Sequence, residues 1–161
     1  MRFNFPDIVD EITIRLIAAQ VLVVTVVAAL GQWWWLYALL AIDFALRVGY
    51  GPRFSPTAHL AGLIRRRLGR PPRPTSGPPK RFAATIGLVC SLLLLAFAGL
   101  GWTAATWVIA VAMIVFPALE SILGFCVGCQ IFGLLIRAGL IPERVCLDCA
   151  DISRRLRTTS G

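Results

Sequence analysis

Residues 82–100 and 102–119 are two apolar runs separated by a single glycine, and no charge interrupts them before Glu120. A helix needs about 20 mostly apolar residues to cross ~30 Å of hydrocarbon, so each run is long enough to span a bilayer. Two similar runs precede them. Residues 12–30 are broken only by Thr13, Arg15, Gln20 and Thr25, and residues 33–48 only by Asp43 and Arg47. With 58% hydrophobic and 15% charged residues, against about a quarter charged in soluble domains, too little polar surface remains to dissolve a globular fold. The pattern predicts an all-α polytopic membrane protein: one integral membrane domain over residues 1–161, with four transmembrane helices at about 12–30, 33–48, 82–100 and 102–119 paired as two hairpins. The leading segment carries Asp7, Asp10 and Glu11 against Arg2 and Arg15. It lacks the basic n-region of a cleaved signal, so the first run is expected to persist as a span.

The net charge of +8 is unevenly placed. The two tight turns, at residues 31–32 and 101, hold no Lys or Arg, whereas nine lie between Arg47 and Arg81 and five follow the fourth run. Cytoplasmic flanks are enriched in these residues, which predicts a multi-pass protein of the bacterial inner membrane with both termini cytoplasmic. Trp33, Trp34, Trp35, Tyr37 and Trp102 mark the opposite interface. No aromatic residues interleave with the arginines, so nucleic acid is not an expected partner, and the lipid bilayer is.

Residues 65–81, RRRLGRPPRPTSGPPKR, read as an extended, solvated cytoplasmic linker. Just before it, Leu60, Leu63, Ile64 and Leu68 share one helical face, as in a helix lying on a membrane surface. A shift of 77 residues superposes Asp43 on Glu120, Gly51 on Gly128 and residues 61–64 on 138–141. This predicts two helix pairs, each followed by an apolar surface segment, in pseudo-twofold packing.

Charges inside the spans are the first functional candidates. Asp43 and Arg47, four apart on one helix, are expected to pair. Glu120, with no opposite charge within four residues, is expected to take Arg47 or Arg15 from another helix. These three residues either hold helices in register or line a transport path. Gln20 offers an interhelical hydrogen bond, and His59 is given no role.

Four of the five cysteines fall in two C-x-x-C pairs, Cys126 with Cys129 and Cys146 with Cys149, in a cysteine-bearing C-terminal segment at 125–152. The fifth, Cys90, reads as a small packing residue. On the reducing side of the membrane such pairs point to redox exchange or metal rather than to a permanent disulfide. In the redox reading Cys126 attacks and Cys129 resolves, because Cys126 begins a helical segment whose amides lower its pKa, with Gly128 letting the backbone turn. Arg144 lies near Cys146, but so do Asp148 and Asp151, which disfavour thiolate there. In the metal reading Cys126, Cys129, Cys146 and Cys149 form a tetrahedral thiolate site for Zn, or hold an Fe-S centre, the sixteen intervening residues matching that spacing. No nucleotide-binding loop or hydrolase triad is present.

Asp43-Phe44-x-x-Arg47, Gly51-Pro52-Arg53-Phe54-Ser55-Pro56, Glu120-x4-Phe125-Cys126-x-Gly128-Cys129 and Val145-Cys146-x-x-Cys149 together resemble an uncharacterised family of bacterial four-span integral membrane proteins, a domain of unknown function. The resemblance runs over roughly residues 5–152. It implies a membrane location and genes often placed near those for thioredoxin-like proteins and sulfurtransferases, and it carries no catalytic residues. The expected function is therefore thiol-disulfide redox or sulfur handling with a thioredoxin-like or sulfurtransferase partner. A membrane protein binding metal through its four paired cysteines and a small transporter are the alternatives.

Overall fold

The computed structural model describes Pro6 and residues 8–141. Cys146 and Cys149, with Arg144, Asp148 and Asp151, lie outside the described residues. A short strand, β1 (Ile8–Asp10), leads into α1 (Glu11–Gly31), α2 (Trp34–Tyr50), a 3-10 turn (Pro52–Phe54) and α3 (Pro56–Arg67). Then come β2 (Pro74–Ser76), α4 (Gly77–Gly99), α5 (Thr103–Ala118), a π turn (Leu119–Leu123) and α6 (Val127–Arg137). Three of these stretches, Glu11–Gly31, Gly77–Gly99 and Thr103–Leu123, are long and apolar enough to cross a membrane. The second run also forms a helix, but α2 has 17 residues, about 26 Å of rise, and carries the Asp43 and Arg47 charges.

Each long helix starts and stops for a local reason. Asp10 caps α1, its carboxylate accepting from the Ile12 and Thr13 amides at 3.4 and 3.1 Å and from the Thr13 hydroxyl at 2.5 Å. Gln32 (φ 54°) and Gly101 (φ 73°) take the left-handed conformation that turns the chain into α2 and α5. In the first turn the Trp33 amide donates to the Ala28 carbonyl, and in the second the Trp102 amide donates to the Phe97 carbonyl. Gln32 and Gly101 line one cavity, so both turns lie at the same end of the bundle. Near the other end Pro117, which has no N–H to give, loosens the end of α5 into the π turn.

The centre is packed by Ile17, Val21, Ala28, Leu40, Phe44, Leu94 and Met113. Its buried hydroxyls are satisfied within their own helices, Thr25 donating to the Val21 carbonyl and Ser91 to the Gly87 carbonyl, both at 2.8 Å. The outward faces stay apolar, with Val23, Ile42, Leu92 and Val108 exposed. An apolar outside around a centre whose hydroxyls are satisfied suits lipid rather than water.

Helix α1 packs on α2, α3 and α5, while α4 packs on α5, α6 and α2. Exchanging α1 with α4, α2 with α5 and α3 with α6 leaves that set of contacts unchanged. The repeat register is not 77, however. The turns superpose at a shift of 69, Trp33 on Trp102, and the residues preceding α3 and α6 superpose at 71, Ser55 on Cys126. The identities at 77 do not follow that register, and they pair helical Gly128 with Gly51, whose φ is 91°.

The expected linker at 65–81 is only partly a linker. Residues 74–76 pair antiparallel with residues 8–10, and residues 77–81 are the first turn of α4, with Pro78 and Pro79 at positions where a helix loses no hydrogen bond. Arg65 is drawn back to Asp10 at 3.1 Å. On α3, Ala58 and Ala61 face the core while Leu60 and Leu63 are exposed, an apolar outer face.

Candidate functional site

Asp43, on the inner face of α2, is surrounded by donors. The Ser55 hydroxyl donates to it at 2.6 Å, the Thr57 amide at 3.2 Å and the Thr57 hydroxyl at 2.8 Å, and Arg47 forms an ion pair with it. Arg47 also donates to the Thr57 hydroxyl at 2.9 Å and lies 4.7 Å from the centre of the Phe44 ring. Thus 43-DFxxR and 51-GPRFSP are one unit: Gly51 turns the chain at positive φ, and Ser55 and Thr57 tie α3 to the α2 carboxylate. Gln20 adds the interhelical bond expected of it, donating to the Thr57 carbonyl at 3.2 Å. One donor is left over: the Nε of Arg47, which is 6% exposed, is buried with no hydrogen-bond partner among the described residues.

Glu120 is held by neither Arg47 nor Arg15. Lys80, from the first turn of α4, reaches it at 2.5 Å. Arg15 instead donates to the Ser121 and Ile122 carbonyls, at 3.2 and 2.8 Å, where the π turn leaves acceptors free. Lys80 was hidden in the supposed linker, yet it is the only lysine in the chain, and a Pro-Pro pair directly before it signals a helix start.

Cys126 is the residue preceding α6, at its N-cap. The chain turns into it at Gly124 (φ 71°) rather than at Gly128. Gly128 serves contact, since a Cβ there would meet the Ala83 Cβ at 2.6 Å. That close approach seats the start of α6 on the first turns of α4, beside Lys80, and the Phe82 and Phe132 rings, 5.6 Å apart, continue the seam. Cys126 is 6% exposed and Cys129 is half-buried. Although Cys126 makes no regular capping hydrogen bond, its thiol is held below the usual range. The Cys129 thiol donating to its sulfur is the main lowering influence. The Lys80 ammonium and the Cys129 amide add to it, against opposition from burial and Glu120. Cys129 is pushed far up for the converse reason, as the donor to Cys126 and a buried group.

These groups open onto a largely apolar cleft of about 900 Å³, counting its open mouth, between α1, α2, α4, α5 and α6. Arg47, Lys80, Glu120 and Cys126 are on its wall, and Cys90 lies deeper on α4. Of the five described candidate residues, Arg47, Glu120 and Cys126 line the cleft together with Lys80, while Cys129 lies outside its lining and Asp43 behind Arg47. No three His, Cys, Asp or Glu residues converge as metal ligands among the described residues.

The sequence matches the family described as Domain of unknown function (DUF4395) over residues 9–137. The chain belongs to that family. The DUF4395 match takes in Asp43, Arg47, Lys80, Glu120, Cys126 and Cys129, and ends before Cys146 and Cys149. Neither a curated protein nor a solved structure matches the chain.

Proposed function

We propose that this DUF4395 protein is a four-span protein of the bacterial inner membrane, its helices paired as two hairpins and its termini cytoplasmic, that carries out dithiol-disulfide chemistry through Cys126 and Cys129. The observation that carries the reading is the asymmetric placement of the pair: Cys126 is buried at the N-terminus of α6 and lines the cleft with Lys80, while Cys129 is half-buried outside that lining. A nucleophile and a resolving thiol need that difference. Cys126 thiolate attacks one sulfur of a substrate disulfide, forming a mixed disulfide and releasing the other sulfur as thiolate. Cys129 gives its proton to that thiolate and attacks the Cys126 sulfur, expelling the second substrate thiolate. Two electrons pass to the substrate and a Cys126–Cys129 bond remains. A thioredoxin-like or sulfurtransferase partner is the expected source of the substrate sulfur.

The test uses the full chain in lipid nanodiscs, equilibrated across dithiothreitol redox buffers, alkylated and mapped by mass spectrometry. A reversible two-electron transition linking Cys126 to Cys129, lost in Cys126→Ser, is expected. Thiols that never form this bond, or a stoichiometric metal released only by chelation and protecting all four paired cysteines, would overturn the reading in favour of the thiolate metal site.

A further inference from the structure

The cleft has a chemistry of its own. It is open at its mouth, and its wall is apolar apart from a few groups at one end. Two of those are cationic donors, Lys80 and Arg47, the latter with its buried Nε unpartnered among the described residues. A buried donor without an acceptor is costly, and an occupant bearing a hydrogen-bond acceptor relieves it. Phe116 and Ile131 line the cleft yet remain exposed, which makes the mouth apolar as well. Cys126 lines the cleft; Cys129 does not. The low thiol therefore faces a space suited to an apolar molecule with carbonyl oxygens, while its half-buried partner lies outside that lining.

We propose that this cleft seats a lipid-soluble quinone, which takes two electrons from the reduced Cys126–Cys129 pair. The proposal rests on the redox reading above and adds the electron acceptor. Cys126 thiolate adds to a ring carbon, forming a C–S bond and moving an electron pair onto a carbonyl oxygen, which Lys80 or Arg47 stabilises by donation. Cys129 then attacks the Cys126 sulfur. The S–S bond forms, the C–S bond breaks with its pair returning to the ring, and quinol leaves. The two thiols become one disulfide, and the quinone gains two electrons and two protons. With such an acceptor the reversible exchange runs toward taking electrons from a partner dithiol. Its thiolate attacks the Cys126 sulfur of the disulfide and expels Cys129, and the partner's second thiolate then attacks the partner sulfur of the mixed disulfide and releases Cys126 thiolate.

The experiment mixes reduced, desalted full-length protein in nanodiscs, under anaerobic conditions, with ubiquinone bearing one isoprenoid unit, and follows quinol absorbance and free thiols together. One quinol per Cys126–Cys129 disulfide is expected, with Cys129→Ser holding quinone in a coloured or covalent complex without releasing quinol. Met113→Trp, which fills the cleft, should slow quinol formation at least tenfold. No quinol from a sample that still forms its disulfide with oxidised dithiothreitol would sink the quinone and leave the redox reading standing; failure with both would sink the two together. An undiminished rate in Met113→Trp would mean that quinone reacts elsewhere, and would also overturn the proposal.

Discussion

Lys80 is the cation that acts on the thiol pair: it is paired with Glu120 and adds to the lowering of the Cys126 thiol by Cys129. Replacing it with Met removes a charge that favours thiolate and leaves Glu120 near the sulfur, so both changes act in one direction. The midpoint of Cys126 alkylation against pH should rise by about one unit, and the rate near neutrality should fall roughly tenfold. Iodoacetamide kinetics with peptide mapping would show it, and an unmoved midpoint would remove Lys80 from the site. Asp43 behaves differently, since its acceptor positions are taken by Ser55, Thr57 and Arg47. Asp43→Ala strands a buried guanidinium and should destabilise the fold by about 3–5 kcal/mol, read as a lowered thermal midpoint in nanodiscs. Full stability in that variant would show that the Asp43 knot does not hold α2 to α3.

At the scale of elements, α6 is positioned by one small contact. Gly128→Val places a branched side chain against the Ala83 backbone and Cβ, within 2.8 Å even for the first carbon. The start of α6 must lift from α4, and Cys126 must leave Lys80. The variant should lose the lowered thiol while keeping most of its helicity, seen as an alkylation midpoint shifted toward the ordinary thiol value with little change in far-ultraviolet circular dichroism. A midpoint unchanged from that of the parent chain would mean that the seam tolerates the extra carbons. The same element shows where sequence reading stops. Four apolar helices, the positions of both tight turns and the Asp43–Arg47 pair were legible, because run length and i,i+4 spacing are local signals. The start of α4 was not, since Pro and Arg composition suggested a linker while Pro78 and Pro79 were opening a helix. Glu120 finding Lys80, forty positions away, and Gly128 acting through contact rather than through a turn, depend on packing that no local pattern encodes.

Across the whole molecule the ends are unlike. One carries the turns at Gln32 and Gly101 with Trp33 and Trp102 beside them; the other carries Lys80, Glu120 and Cys126. If α2 crosses the bilayer despite its 17 residues, it does so because its two charges neutralise each other on the inner face and leave Leu39 and Ile42 outward. Gln32→Cys and Thr103→Cys should then label from outside intact spheroplasts with a membrane-impermeant maleimide, whereas Arg66→Cys should label only after permeabilisation. Labelling of Gln32→Cys and Arg66→Cys from the same face would mean that α2 does not cross, and the proposed four-span topology would fail. The thiol chemistry depends on that outcome, because the redox poise of the compartment bathing Cys129 sets whether the pair is met reduced or oxidised.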